Sequence, residues 1–179
     1  MRVSKPNPQR MLFKESEIPR RPIKIKSLGA ARHHIGMYVE EMIATTLGAE
    51  RLPTKAGYIC PDMRIRLPDR SFCYIESKSS GRNNRIILYE DRCQKYDVFC
   101  QENMLLYAVL NHSIPLSILK FNTDLPHLMD IHFRGLHLFP LSHVHRVAYA
   151  KEKRVVNKSH KNPRYHEGWT IQLSELLKT

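Results

Sequence analysis

Two alternating segments separated by a short turn restrict the possible folds of this chain more than any other feature. Apolar and basic residues alternate strictly over 63–67: Met63, Arg64, Ile65, Arg66 and Leu67. A Pro-Asp-Arg turn follows at 68–70, and residues 71–78 have the composition of a returning strand. Strict alternation is typical of a strand with one buried face. The pattern therefore predicts an antiparallel hairpin over 62–78.

A helix is predicted immediately before this hairpin. From Leu28 to Leu47 the apolar positions recur at helical spacing, and Gly48 is a predicted stop. Further predicted strands cover 57–60, 85–88, 104–110, 116–121 and 144–149, and further helices cover 90–103 and the segment from about Leu173. Strands that alternate with helices predict an α/β fold with a mixed central β-sheet flanked by helices.

The net charge of +12 in a chain of 179 residues is concentrated at two places. Residues 2–26 contain eight basic and two acidic side chains, residues 151–164 contain six and one, and 27–150 are nearly neutral. We expect a basic N-terminal arm over 1–27 and one domain over 28–179, with a basic DNA-contacting region at about 112–179. Basic flanks on a neutral body favour a nucleic-acid partner. A solvated basic surface without a partner is the alternative.

Cysteine spacing and hydropathy indicate where the protein acts. The four cysteines show no C-x-x-C spacing, which favours reduced thiols and a cytoplasmic or nucleoid-associated protein. No run of about 18 apolar residues is present, so no membrane association is expected.

Acidic residues and one lysine converge on the predicted hairpin. Glu76 and Lys78 lie two residues apart on one strand and share a face, and Asp62 opens the partner strand. Two carboxylates with water molecules suit Mg²⁺, and Glu40 on the preceding helix is expected to complete the site or bind a second ion. Lys78 is expected to hold or deprotonate an attacking water or to stabilise a pentavalent phosphorus. The alternatives are a turn aspartate, an exposed Glu–Lys ion pair and a solvated helix glutamate.

These residues resemble the PD-(D/E)xK, or restriction-endonuclease-like, nuclease superfamily over about 30–111. The matching segments are Pro61-Asp62, Glu76-Ser77-Lys78 and the helix with Gly36, Val39, Glu40 and Ile43. Archaeal Holliday-junction resolvases carry a similar helix and a similar E-x-K-S run, here Glu76 to Ser79, and Gln94 corresponds to a helical glutamine that they carry later in the chain. Ser77 departs from the family, in which this position is usually apolar. The resemblance implies a restriction-endonuclease-like core, catalytic Glu40, Asp62, Glu76 and Lys78, and metal ligands Asp62, Glu76 and Glu40.

The same resemblance implies a Mg²⁺-dependent DNA endonuclease, with Mn²⁺ as a substitute. The first hypothesis is sequence-specific double-strand cleavage by a homodimer, as in type II restriction enzymes. The second is a resolvase of Holliday junctions or other branched DNA, and the third is a non-catalytic nucleic-acid-binding protein with a nuclease fold. The predicted contacts to double-stranded or branched DNA are in the basic C-terminal segment, namely Lys151, Lys153, Asn157, Lys158, His160, Lys161 and Asn162. A solvated basic loop is the alternative for that segment.

Overall fold

The computed structural model describes residues 27–53, 60–120, 124–158 and 165–178. The strands are β1 Glu50–Arg51, β2 Met63–Arg66, β3 Phe72–Ser80, β4 Arg85–Tyr89, β5 Met104–His112, β6 Phe133–Pro140, β7 Arg154–Lys158 and β8 Tyr165–Gln172. The α-helices are α1 Leu28–Leu47, α2 Glu90–Phe99, α3 Leu125–His132, α4 Leu141–Tyr149 and α5 Leu173–Leu176, and a 3₁₀ helix covers Leu116–Lys120. Among these helices, none is long and apolar enough to cross a membrane.

The strands form a central sheet and a smaller one. The central sheet has five strands in the order β1-β2-β3-β5-β6, in which β3 and β5 run parallel and the other pairs antiparallel. The second sheet is antiparallel, with three strands in the order β4-β8-β7. A mixed central sheet with helices packed against it confirms the predicted α/β class.

Helix α1 has the predicted bounds, because both of its ends carry strong local signals. The Ser27 side chain accepts a hydrogen bond from the backbone N–H of Ala30 at 3.1 Å, which caps the N-terminus. Gly48 ends the helix in the left-handed conformation with φ 63°. Ile35, Val39 and Ile43 form the buried stripe of the helix and pack on the central sheet.

The predicted hairpin is also confirmed, and it divides the core into two. In the ladder Met63 pairs with Ile75, and both side chains are fully buried with α1. Alternation turns Tyr74 and Glu76 to the opposite face, where Tyr107 of β5 packs with Tyr96 of α2. The two faces of β3 therefore belong to two different cores, one against α1 and one against α2.

Two predicted strands are wrong. The segment predicted as a strand over 116–121 forms the 3₁₀ helix as far as Lys120, because the chain turns after Pro115, whose carbonyl accepts from the N–H of Ile118 at 3.0 Å. The segment at 144–149 lies in α4. Its buried residues follow helical spacing, and this outweighed the strand preference of valine: Leu141, Val144, His145 and Ala148.

The remaining predictions differ in their outcome. Helix α2 ends at Phe99 rather than at 103, while β4, β5 and α5 appear close to their predicted positions. The strand predicted at 57–60 lies outside the described residues except for Cys60, and so does the N-terminal arm except for Ser27.

Candidate active site

Glu76 is the centre of the candidate site. Its side chain is completely buried (0% exposed), yet it accepts hydrogen bonds from three donors. Lys78 Nζ and Arg92 Nη1 both donate to Oε1, the latter at 2.9 Å, and the Tyr96 hydroxyl donates to Oε2. Strand alternation brings Lys78 to the same face, while Arg92 and Tyr96 come from α2, which packs on that face. A buried charge with several donors is the arrangement that protein interiors tolerate.

The donors around Glu76 keep its carboxylate ionised. Burial raises the pKa of Glu76, but the adjacent charges of Lys78 and Arg92 outweigh this effect, so the pKa lies below its usual value. Burial and the charge of Glu76 raise the pKa of Tyr96, which keeps its hydroxyl protonated as a donor. The same hydroxyl lies 3.4 Å from the carbonyl oxygen of Cys60, so α2 also contacts the segment just before Asp62.

Hydrogen bonds from Ser77 hold Asp62 directly before the start of β2. The Ser77 backbone N–H and hydroxyl both donate to Oδ2 of Asp62, at 2.8 and 2.6 Å. Among the described residues, Oδ1 of Asp62 has no hydrogen-bond partner. The departure from an apolar residue at position 77 thus has a local reason, because a serine there fixes the aspartate.

Asp62 differs from Glu76 in its electrostatics. Burial raises the pKa of Asp62, and the charge of Glu76 raises it further; Lys78 and the two hydrogen bonds from Ser77 offset only part of this. Ionisation of this carboxylate therefore costs more free energy than ionisation of a solvated aspartate. Residues with such perturbed pKa values cluster at functional sites.

Glu40 lies on α1, which packs on the other face of β3. Its Oε2 accepts from Nη2 of Arg51 at 3.0 Å, and the same guanidinium binds Glu41 through Nη1 at 3.0 Å. Burial raises the pKa of Glu40, and the charge of Asp62 adds to the effect. The structure therefore brings Glu40 into the electrostatic range of Asp62 and gives it Arg51 as its hydrogen-bond partner.

Asp62 and Glu76 are the residues that decide whether the site suits a divalent cation. Within the described residues, no group of three or more His, Cys, Asp or Glu is placed to hold a metal ion. Mg²⁺ commonly uses one or two carboxylates together with water and substrate phosphate. Asp62 offers a free oxygen, and its repulsion with Glu76 would be relieved by a cation. The Asp62 carboxylate thus suits a hard divalent ion, whereas Glu76, whose two oxygens are both engaged, would have to release a donor to bind one.

Three contributors to the site were missed by reasoning from the sequence. Arg92 and Tyr96 are four residues apart, so they share one side of α2. That spacing is a usable signal, whereas the family resemblance points to Gln94. Gln94 is exposed, and its amide donates to Glu90 at 3.4 Å. Ser77 is the third contributor, and its only signal in the sequence is its departure from the family pattern.

The predicted DNA contacts in the basic segment are only partly described. Lys151 forms an ion pair with Glu175 at 2.7 Å, and Lys153 pairs with Glu90 and Glu167 at 2.9 and 3.0 Å. Asn157 and Lys158 lie in β7, with their backbone described. His160, Lys161 and Asn162 lie outside the described residues. The two lysines whose side chains are described, Lys151 and Lys153, are thus already engaged by carboxylates.

Comparison with known proteins gives a distant structural likeness. No protein-family model matches the chain, and no curated protein matches it either. The chain is similar to the solved structure of Hjc from Archaeoglobus fulgidus, a Holliday junction resolvase from an archaeal hyperthermophile. The likeness covers 80% of this chain and 88% of that chain, with a TM-score of 0.44 and 15% identity. So distant a likeness does not identify a family, and the function must be inferred from the chain's own residues.

Proposed function

We propose that this protein is a divalent-metal-dependent DNA endonuclease, whose site for phosphodiester hydrolysis is built on Asp62, Glu76 and Lys78. One observation carries the proposal. Glu76 is buried and ionised, it has Lys78 beside it on the same strand, and its charge acts on a second carboxylate at Asp62. A structural ion pair alone would not require the second carboxylate, whose ionisation is opposed by burial and by the charge of Glu76.

The roles of the residues follow from their contacts. Asp62 and Glu76 would hold Mg²⁺ or Mn²⁺, with Glu40 next to them, and the bound ion would supply a more acidic water and neutralise phosphate charge. Lys78 donates to Glu76 and is partly exposed, at 19%. Its ammonium group can therefore also donate to a phosphate oxygen as negative charge develops there. Ser77 positions Asp62 through two hydrogen bonds.

DNA is the polyanion that we propose as the substrate. We also propose that a homodimer cuts it, inside the cell. The basic flanks favour it, because each phosphate contact releases counterions. Lys158, Lys161, Asn157, His160 and Asn162 remain predicted contacts. We expect Lys151 and Lys153 to contribute less to DNA binding, since carboxylates already engage them. Sequence-specific duplex cleavage is our first hypothesis for the substrate, and branched DNA is the second.

A cleavage assay tests the proposal and separates the substrates. Supercoiled plasmid, linear duplex and a four-way junction are each incubated with Mg²⁺, Mn²⁺, Ca²⁺ or EDTA. We expect cleavage with Mg²⁺ and Mn²⁺, no cleavage with EDTA, and binding without cleavage in Ca²⁺, because Ca²⁺ has looser coordination geometry. Fixed cuts in duplex DNA would indicate sequence specificity, and cuts restricted to the junction would indicate a resolvase.

Contaminating nucleases are the main source of a false positive result. Asp62→Asn, purified in the same way, is the control, because it should retain the hydrogen bonds from Ser77 and lose cleavage. Cleavage that persists in this variant or in EDTA would rule out the proposed site. Binding of DNA with no cleavage in any metal would instead favour the non-catalytic hypothesis.

A further inference from the structure

Glu76 has two cationic partners, although one would neutralise it. Lys78 and Arg92 both bind Oε1, so the three side chains together carry one net positive charge. Lys78 belongs to the strand motif that defines the site. Arg92 comes from α2 and is not needed to complete that motif, so its position beside Glu76 requires a separate explanation.

Most of the Arg92 guanidinium remains available for another ligand. Its side chain is 45% exposed, and Nη1 is engaged by Glu76 at 2.9 Å. Within the described residues, Nε and Nη2 have no hydrogen-bond partner. A guanidinium carries five N–H donors in a fixed plane. Arg92 is thus anchored through one nitrogen on a buried carboxylate, and nearly half of its side chain is exposed.

We propose that Arg92 is a phosphate-binding residue that holds the DNA backbone next to the bond that is cut. The inference rests on the proposed function and names a further contact of the same site. A guanidinium matches two phosphate oxygens with two parallel hydrogen bonds, which a lysine cannot do. Glu76 fixes the orientation of Arg92, so the outer donors are placed before the substrate arrives.

The backbone at the start of α2 does not provide an equivalent anion site. Arg92 is the third residue of this helix and follows Glu90 and Asp91, whose carboxylates oppose an anion at the helix N-terminus. Anion binding here therefore depends on the guanidinium. The competing explanation is that Arg92 serves only as a second counterion for Glu76.

DNA binding without metal separates these explanations. Dissociation constants of wild type, Arg92→Gln, Arg92→Lys and Arg66→Gln are measured in EDTA over a salt series. Arg66 is the matched control, since Arg66→Gln removes the same charge from an exposed position at the end of β2, outside the predicted DNA-contacting region. We expect Arg92→Gln to bind about tenfold more weakly, as for a loss of about 1.4 kcal/mol, and to lower the salt slope by about 0.9.

The other two variants sharpen the result. Arg66→Gln should bind with wild-type affinity and slope. Arg92→Lys should keep the slope and bind at least about twofold more weakly, because it retains the charge but loses the paired donors. If Arg92→Gln fails to fold by circular dichroism, the lysine variant decides the question. Wild-type affinity and slope in the folded Arg92 variants would overturn the inference and leave the counterion role.

An independent probe keeps this inference distinct from the proposed function. Inorganic pyrophosphate is titrated while the melting temperature is recorded. We expect it to raise the melting temperature of wild type and Arg66→Gln, and to have no effect on Arg92→Gln. A wild type that binds no DNA would refute the proposed function, and the pyrophosphate titration would still decide whether Arg92 is an anion site. Equal shifts in all variants would refute that site.

Discussion

The protein stabilises the charges of the three acids at the site to different degrees. Glu76 has three donors among the described residues, and its pKa lies below the usual value because Lys78 and Arg92 outweigh the effect of burial. Within the same residues, Asp62 accepts hydrogen bonds from Ser77 alone, and Glu40 shares Arg51 with Glu41. Burial and neighbouring charges raise the pKa values of both Asp62 and Glu40. The charge of Glu76 is therefore compensated by the protein alone, while a bound cation would stabilise Asp62 and Glu40.

The largest expected effect is the loss of cleavage when either Asp62 or Glu76 loses its charge. Asp62→Asn and Glu76→Gln should each abolish metal-dependent cleavage, because each removes one of the two carboxylates proposed to hold the ion. Glu41→Gln, which changes an exposed acid on α1, should cleave like wild type. Cleavage is followed on whichever DNA the wild type cuts. Activity retained by Asp62→Asn would show that Asp62 is not part of the site.

Substitutions of Lys78 test the surroundings of Glu76, whose charge the protein already compensates. Lys78→Ala should lower the rate of cleavage by about 10²–10⁴, the usual contribution of a positioned acid–base or electrostatic group. Lys78→Arg should not restore the rate, because a guanidinium is larger and stays protonated. Single-turnover rates at saturating enzyme provide the measurement. A wild-type rate for the arginine variant would refute a tightly positioned ammonium group.

The free energy of unfolding should change in opposite directions when Glu76 and Asp62 are each replaced by the amide. At pH 7, Glu76→Gln should lower the free energy of unfolding by about 3–5 kcal/mol, because Lys78 and Arg92 lose the buried carboxylate that pairs with them. Asp62→Asn should raise it by about 0.5–2 kcal/mol, as for relief of an unfavourable functional charge. Urea unfolding measures both. A loss of stability in Asp62→Asn would contradict the contrast between Glu76 and Asp62.

The pH dependence of these two effects has a definite sign. The folded pKa of Asp62 is raised by burial and by Glu76, so its ionisation costs stability as pH rises through that pKa, and the advantage of Asp62→Asn should vanish at lower pH. Lys78 and Arg92 outweigh burial and lower the folded pKa of Glu76. Its contribution is therefore present above its unfolded pKa and lost as pH falls through the folded one.

The smallest effect is expected at Glu40. Glu40→Gln should raise the Mg²⁺ concentration for half-maximal cleavage by about tenfold, the lower end of the cost of removing a group beside metal ligands. Glu41→Gln removes the other partner of Arg51 and should leave the Mg²⁺ requirement unchanged. An equal change in both variants would assign the effect to Arg51 and leave Glu40 without a specific role.

Predictability from the sequence depended on how local each signal was. Helix α1 and the hairpin were predicted with nearly correct bounds because caps, a turn and strict alternation lie within each element. The segments at 116–121 and 144–149 were predicted wrongly because strand preference is weak when packing decides otherwise. In α4 the buried residues recur at helical spacing, but the one valine and the one histidine among them, Val144 and His145, obscured that pattern.

By itself, the sequence determined that Glu76 and Lys78 share a face, because alternation along a strand is a property of the backbone. It also placed Asp62 at the start of the partner strand. Only the tertiary structure decided which side chains complete the site. Arg92 and Tyr96 reach Glu76 because α2 packs on that face of β3, and Ser77 holds Asp62 because the chain bends where β2 begins. Such partners depend on the packing of distant segments, which no local periodicity encodes.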